Sequence, residues 1–310
     1  MKKAIVLLNM GGPNNLDEVE LFLKNMFNDK NIISLPNPFR KFVAKMIVKS
    51  RKEEAKNNYK LLGGKSPIVD YTKKLVDKLT KKTNIDTFYI MRYTPPFSKD
   101  VLKNLVNYDE IYAIPLYPHY SITTTKSSFE DLFKEAKKLK IDKKIKKIDY
   151  YYANETFNKV IAKKIKEALN GDDANEFDLI FSAHGLPKKV IDKGDLYQKH
   201  IKLNRFFALK ELLKQNMIFN KTHLAYQSRL GPMEWLRPYL EDKLKEIKNK
   251  KIIIYPIAFV VDNSETEFEL DIEYREIAKN MGYEDIRVAK CPNDDELFVE
   301  FLDELIREKF

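Results

Sequence analysis

Short runs of apolar, β-favouring residues recur along the chain and alternate with longer segments rich in Lys and Glu. The clearest apolar runs lie at 4–9, 87–91, 111–116, 148–152, 179–183, 224–227, 252–259 and 286–289. The segments between most of them have the apolar spacing of amphipathic helices, at 68–82, 98–106, 155–169, 195–216, 233–248 and 293–308. Strands that alternate with helices predict βαβ units and parallel sheets.

The predicted strands fall into two equal sets that divide near residue 150. A chain of 310 residues is long enough for about two domains. We therefore predict an α/β protein with two Rossmann-like, doubly wound domains, 1–150 and 151–310, whose parallel sheets face each other across a cleft. The last helix is free to pack back on the first domain.

A segment at about 28–64 contains no clear strand and is predicted to be an insertion of a loop and helices. Part of it, 39–52, is both basic and amphipathic. Its apolar side chains fit two interpretations: a lip that contacts an apolar ligand or a membrane surface, or ordinary core packing. The residues concerned are Phe42, Val43, Met46, Ile47 and Val48.

Composition narrows the class of protein. Hydrophobic residues make up 44% and charged residues 33% of the chain, which is a globular balance and excludes disorder. The net charge of +10 favours an anionic partner, but the lysines are spread along the chain, as on solvated helix faces, and not clustered as in a nucleic-acid site. The single cysteine, Cys291, excludes an intrachain disulfide and an all-cysteine iron–sulfur cluster. Neither a secretory signal nor a run long enough to span a membrane is visible, so we expect a cytoplasmic protein.

Candidate chemistry lies directly after the predicted strands, because ligands of open α/β sheets bind beyond the carboxyl ends of the strands. His184 follows a buried strand and precedes Gly185, so its imidazole is placed to bind a metal or to act as a general base. After another strand, Glu265, Glu269 and Glu273 are spaced four apart and share one helix face. Such an oxygen-rich stripe attracts divalent cations.

Structural alternatives remain open for both features. His184 fits a hydrogen-bonded loop histidine, and the acidic stripe fits a solvated face near a helix N-terminus. Ser264 is expected to cap that helix, with Glu267 completing a capping box. Nucleotide motifs are absent, since 11–13 is not part of a GxGxxG sequence and 63–66 lacks the first glycine of a P-loop.

Long stretches of the chain resemble the ferrochelatase family, nearly end to end and in the family's order. They lie at 7–13, 59–68, 91–93, 115–121, 181–187, 226–236 and 256–274, and they include Ser182-Ala183-His184-Gly185-Leu186-Pro187. The resemblance implies a chelatase-like fold with a porphyrin cleft and a porphyrin lip at 28–64. It also implies a lyase of haem biosynthesis that inserts Fe²⁺ into protoporphyrin IX.

The resemblance further implies roles for single residues. His184 and Glu265 form the inner metal site, and Glu269 and Glu273 form an acidic path to it. Six residues are expected near the macrocycle: Met10, Tyr117, His119, Ser121, Arg92 and Trp235. One position departs from the family pattern, since Asn263 stands where a second histidine is usual.

The resemblance also implies the substrates and cofactors: the porphyrin and ferrous iron are substrates, no cofactor is tightly bound, and an iron–sulfur cluster is not expected. Nucleic acid is not expected either, because the lysines are scattered. The apolar side chains near 39–48 lead us to expect peripheral contact with an anionic membrane, at its inner face. Two alternatives stay open: a related chelatase for coproporphyrin or for cobalt, and a non-catalytic porphyrin carrier.

Overall fold

The computed structural model describes residues 1–309, which form two compact units. Unit 1 consists of Met1–Tyr150 together with the C-terminal segment that begins at Asp294, and unit 2 consists of Tyr151–Asn293. Each unit contains a four-stranded, all-parallel sheet. The predicted α/β class with parallel sheets is thereby confirmed.

The strands and helices are numbered in chain order. The strands are β1 (Lys3–Asn9), β2 (Asp86–Met91), β3 (Glu110–Pro115), β4 (Ile145–Lys147), β5 (Asp178–His184), β6 (Lys221–Gln227), β7 (Lys251–Pro256) and β8 (Asp285–Val288). The α-helices are α1 (Glu18–Phe27), α2 (Asn37–Leu61), α3 (Ile68–Thr83), α4 (Ser98–Val101), α5 (Ser127–Lys138), α6 (Glu155–Leu169), α7 (Lys188–Asp192), α8 (Tyr197–Lys214), α9 (Leu240–Glu246), α10 (Arg275–Asn280) and α11 (Glu296–Lys309). Two segments, Ile122–Lys126 and Glu265–Tyr274, are π-helical.

Both sheets have their most apolar strands in the middle. The strand order is β2-β1-β3-β4 in unit 1 and β6-β5-β7-β8 in unit 2. Residues 4–8 of β1 and 252–254 of β7 are at most 1% exposed, as expected where helices cover both faces of a parallel sheet. Because all strands of a sheet run the same way, their carboxyl ends meet at one edge, and the residues that follow them are brought together there.

The last helix belongs to unit 1. Helix α11 packs on α3, and it buries apolar side chains such as Phe298 and Leu302. Lys78 of α3 adds ion pairs to Asp294 and Glu296, at 2.9 and 2.8 Å. The range of unit 2 therefore ends at Asn293, whereas the sequence-based range was 151–310.

Two predicted elements are corrected. The strand predicted at 148–152 lies earlier, at Ile145–Lys147, and Ile148, Tyr151 and Tyr152 are buried without belonging to a strand. Their apolar character therefore reflects burial and not strand pairing. The helix predicted at 233–248 begins only at Leu240, because Pro238 has no amide hydrogen to donate and its ring would collide with the preceding turn of a helix.

No helix within residues 1–309 has both the length and the hydropathy that a membrane span requires.

Candidate active site

His184 is the last residue of β5, and the chain turns tightly behind it. It lies opposite Gln227, the last residue of β6. Gly185 follows, and a Cβ atom at this position would lie 2.8 Å from the carbonyl oxygen of Gln227. A larger residue would force the β5 and β6 ends apart, so the glycine fixes where the imidazole stands. The hydroxyl of Tyr197 donates to the His184 carbonyl at 2.9 Å and holds the same turn from α8.

The structure brings His184 and Glu265 into direct contact. Nδ1 of the imidazole lies 2.7 Å from Oε2 of the carboxylate. The two side chains are 33% and 22% exposed, so the pair is open to solvent on one side. Within the described chain, Nε2 of His184 and Oε1 of Glu265 make no hydrogen bond. A carboxylate on one ring nitrogen fixes the tautomer and leaves the other nitrogen as a base or a metal ligand.

Glu265 is held by the residue that departs from the family pattern. Oδ1 of Asn263 accepts a hydrogen bond from the Glu265 amide at 2.8 Å, and its Nδ2 donates to the Val261 carbonyl at 3.1 Å. Asn263 is 4% exposed. The expected cap was Ser264, which makes no capping hydrogen bond, because its backbone is already helical and a cap residue is normally extended. The expected capping box is therefore wrong, and Asn263 fills the capping role.

Glu269 lies beside the pair, in a nest of donors from the end of β6. Its Oε1 accepts from the Ser228 amide at 2.8 Å, and its Oε2 accepts from the Ser228 hydroxyl. That hydroxyl is also 3.4 Å from Oε2 of Glu265, so one serine bridges the two carboxylates. Ser228 has a φ of 64°. This backbone conformation is unusual for a serine and costs energy to maintain. Gln227 adds a third donor at 3.3 Å.

The two titratable groups Glu269 and His184 both have raised pKa values in this cluster. Burial, with the charge of Glu265 added to it, raises the pKa of Glu269 to about 7, although the hydrogen bonds from Ser228 act in the opposite direction. Burial on its own lowers the pKa of His184, but the Glu265 charge, the hydrogen bond to Glu265 and the Glu269 charge together outweigh it and raise that pKa above its usual value. Glu269 can therefore gain and lose a proton near neutral pH, and His184 holds its proton more tightly than a free imidazole does.

The remaining predicted residues of unit 2 are arranged as follows. Glu273 lies on the same π-helix, one turn beyond Glu269, and is exposed. Trp235 is 7% exposed, and its indole N–H donates to the Leu230 carbonyl at 2.8 Å. A backbone bridge joins Trp235 to Pro187, close behind Gly185. The indole thus forms part of the wall behind His184.

Four of the predicted porphyrin contacts follow β1 and β3 in unit 1. Met10 is half-buried against the cluster formed by α1 and α2. Tyr117, His119 and Ser121 are all less than 10% exposed. The Tyr117 hydroxyl is 3.3 Å from that of Ser128, and Ser121 caps the π-helix at Ile122–Lys126. These residues share one edge of the sheet, as the strand-end rule requires, and their contact with a macrocycle stays a prediction.

Arg92 is engaged within unit 1. Its Nη2 lies 3.0 Å from Oδ2 of Asp29, a carboxylate that is almost fully buried, and its Nε donates to Ser127 at 2.9 Å. Asp131 lies 3.8 Å from Nη1. The guanidinium ties the end of α1 to the start of α5, which is a structural role, and its expected place near the macrocycle stays a prediction.

Residues 1–309 contain no cluster of three or more His, Cys, Asp or Glu side chains placed to hold a metal ion.

Comparison with known proteins agrees with this architecture. SirB from Bacillus subtilis, solved with Fe3+, superposes with a TM-score of 0.59 at 11% identity, covering 100% of this chain and 96% of its own. CbiX, described as the terminal enzyme of sirohaem biosynthesis in denitrifying bacteria, gives a TM-score of 0.55 at 10% identity and covers both chains fully. At such identity these likenesses concern the fold, and they show that the chain has the chelatase fold.

The sequence comparisons identify the family within this fold. The model of the family described as Ferrochelatase matches residues 2–310. A ferrochelatase from Sulfurimonas denitrificans is 54% identical over 306 residues, which cover 97% of each chain. The chain therefore belongs to the ferrochelatase family, and it is an enzyme of the lyase class.

Sequence reasoning assigned no role to the residues that support the cluster. Ser228 stands directly after an apolar run, where the strand-end rule places candidate chemistry, but the sequence did not show that it binds the glutamates. Asn263 was noticed only as a missing histidine. Tyr197 gives no local signal, since it opens a helix thirteen positions after the residue whose carbonyl it binds.

Proposed function

We propose that the protein inserts ferrous iron into protoporphyrin IX to form protohaem. The observation that carries the proposal is the 2.7 Å contact between His184 and Glu265 at the end of a central strand, in a chain of the ferrochelatase family. Insertion requires that Fe²⁺ shed water and that two pyrrole protons leave. A histidine and a carboxylate supply mixed nitrogen and oxygen ligation, which Fe²⁺ accepts without being trapped.

We assign the steps from the atoms that remain open. Glu265 holds Nδ1 of His184, so Nε2 is the atom that meets the iron or a pyrrole proton. Oε1 of Glu265 is the second open atom. Glu269, whose pKa is raised to about 7, takes up protons that pass along the bridging hydroxyl of Ser228. Glu273 continues this acidic path to the surface.

We propose the contacts with the macrocycle as part of the same function. Trp235 stands behind His184 and offers an aromatic face, and Met10 offers a half-buried thioether in unit 1. Tyr117, His119 and Ser121 support the same sheet edge as Met10, and Arg92 orders the adjoining loop.

The test is an anaerobic assay in which Fe²⁺ and protoporphyrin IX are mixed with the protein and haem formation is followed by visible absorption. His184→Ala and Glu265→Ala should each reduce turnover by a factor of about 10² or more, while porphyrin binding, measured by fluorescence, stays within a few-fold of wild type. Glu276→Ala, an exposed carboxylate on α10, is the matched control and should keep full activity.

Two results would contradict the proposal. Porphyrin binding without insertion by the wild type would identify a carrier. Faster insertion into coproporphyrin, or of Co²⁺ in place of Fe²⁺, would identify a related chelatase with a different substrate.

We further propose that helix α2 contacts an anionic membrane. Phe39, Phe42 and Met46 are spaced at i, i+3 and i+7, so they form one stripe, and each is about 60% exposed. Lys41, Lys45 and Lys49 on the same helix are also exposed. The expectation of core packing is wrong for Phe42 and Met46, and it holds for Val48, which is buried. Exposed aromatics flanked by lysines are the pattern of an interfacial helix.

Co-sedimentation with vesicles tests this contact. Wild-type protein should bind vesicles with 30% anionic lipid and release them at high salt, whereas Phe39→Ser/Phe42→Ser should bind about tenfold less. The matched control is Phe206→Ser/Leu213→Ser, which removes two exposed apolar side chains of α8. The proposal fails if wild-type protein ignores the vesicles or if both double variants lose binding equally.

A further inference from the structure

A polar cavity of about 560 Å³ lies at the amino-terminal edge of the unit 2 sheet. It is formed where β5, β6 and β7 begin, whereas His184 stands where β5 ends. The seven residues of β5 separate the two places by about 20 Å, at a rise of about 3.3 Å per residue. The volume falls within the range of small-molecule sites. Nothing in the proposed iron chemistry uses this cavity.

A buried carboxylate organises its floor. Asp178 is 1% exposed, and it accepts hydrogen bonds from Asn220 at 2.6 Å, from Asn249 at 3.1 Å and from Nε2 of His223 at 2.8 Å. Three donors satisfy the carboxylate, so it is not available to bind a cation. Its charge instead orients the imidazole of His223.

The other ring nitrogen of His223 remains open to the cavity. Within the described chain, Nδ1 makes no hydrogen bond and is not sealed off from solvent. Because Nε2 donates its hydrogen to the carboxylate, Nδ1 presents a lone pair that can accept a hydrogen bond from a hydroxyl or amide group of a ligand.

The lysines determine the sign of the charge that a ligand of this cavity carries. Glu246 lines the cavity but is paired with Lys243 at 2.5 Å. Lys221 and Lys248 line it as well, and neither has an ion-pair partner among residues 1–309. Once the pair Glu246–Lys243 is set aside, the two lysine charges on the wall exceed the one negative charge of Asp178, which is buried in the floor.

We propose that this cavity binds a small organic anion, with a carboxylate or phosphate group received by Lys221 and Lys248 and a hydroxyl or amide group of its body donating to Nδ1 of His223. Lysine ammonium groups bind such groups as point charges, and the imidazole nitrogen accepts a directed hydrogen bond from the body of the ligand. The cavity is larger than a single phosphate, so the ligand carries a polar body in addition to its charged group.

The experiment titrates the full-length protein with citrate and, separately, with pyrophosphate, by calorimetry at low ionic strength. At least one probe should bind, and Lys221→Ala/Lys248→Ala should weaken it by about tenfold or more. Lys199→Ala/Lys202→Ala removes the same charge from exposed positions on α8 and should leave binding within about twofold of wild type. The preferred probe distinguishes a carboxylate ligand from a phosphate ligand.

A second readout locates the ligand. The chain has four histidines, and in proton–nitrogen spectra of their side chains the His223 signals should move first as the probe is added. The proposal is overturned if neither probe binds, if both double variants weaken binding equally, or if the His184 signals move in place of those of His223.

Discussion

At the scale of single residues, the site consists of a few side chains whose protonation is set by their neighbours. Glu269 is the clearest case, because burial and the charge of Glu265 raise its pKa from 4.5 to about 7. A carboxyl group whose pKa is higher in the folded protein binds its proton more tightly there than in the unfolded chain. Its contribution to stability is therefore complete below about pH 4.5 and is lost as the pH rises through about 7. The raised pKa of His184 acts in the same direction.

Glu269→Gln should remove this pH dependence, because the amide has the shape of the protonated acid and cannot ionise. We expect the free energy of unfolding of the wild type to fall between pH 5.5 and pH 8, and that of the variant to fall less. Urea denaturation at the two pH values measures the difference. Glu273→Gln is the control, since Glu273 is exposed on the same helix, and it should behave like the wild type. An identical decline in Glu269→Gln and wild type would rule out the buried, protonated state.

The sequence predicted where these residues lie wherever their location depends only on position relative to a strand. His184 ends β5, and the π-helix with the glutamates follows β7 after a loop, so the strand-end rule places both near one edge of the sheet. The same rule cannot give protonation, because the pKa of Glu269 depends first on its burial and on the charge of Glu265, and then on a hydroxyl and an amide supplied by Ser228, forty-one positions away.

At the scale of secondary-structure elements, the π-helix that carries Glu265 and Glu269 depends on the polar residue that precedes it, Asn263. Asn263 accepts from the Glu265 amide and donates to the Val261 carbonyl, and its own amide donates to Thr266 at 3.0 Å. Because the side chain is buried, its removal leaves a buried amide and a buried carbonyl without partners. The cap therefore fixes where Glu265 enters the cluster.

Asn263→Ala should lower the free energy of unfolding by about 1–3 kcal/mol and should reduce insertion more than porphyrin binding, because Glu265 loses its support. Asn263→Ser retains an oxygen that can cap, and it should recover part of both losses. Chemical denaturation and the anaerobic assay measure the two effects. Equal stability of the alanine variant and the wild type would show that the cap contributes nothing.

Element bounds were predictable where apolar pattern and pairing coincide, as in β1 and β5. The predicted bounds were wrong where residues are buried for a reason other than strand pairing. Ile148, Tyr151 and Tyr152 are buried without pairing in a strand, and the strand itself, Ile145–Lys147, carries two exposed lysines that hide it from an apolar pattern. The start of α9 was misplaced because the apolar spacing continues through Pro238, while the backbone cannot.

At the scale of the whole molecule, the two units differ in how the chain builds them. Unit 2 is one continuous stretch, Tyr151–Asn293, with its own core of side chains such as Ile180, Ile254 and Leu270. Unit 1 is discontinuous, because it needs the helix at the far end of the sequence. An amphipathic helix fits any apolar surface of suitable shape, so its pattern could not say which unit it covers.

This difference predicts how fragments behave. Helix α11 buries the side chains of Phe298, Val299, Phe301, Leu302, Leu305 and Ile306. At about 1.5–3 kcal/mol for each side chain, the loss of all six is comparable to the roughly 5–15 kcal/mol by which domains are stable. A fragment of residues 151–293 should therefore unfold cooperatively in urea, and a fragment of residues 1–150 should not. Joining 294–310 to residue 150 through a short flexible linker should restore a cooperative transition. A 1–150 fragment that folds as well as the linked one would show that α3 and its neighbours form a sufficient core without the last helix.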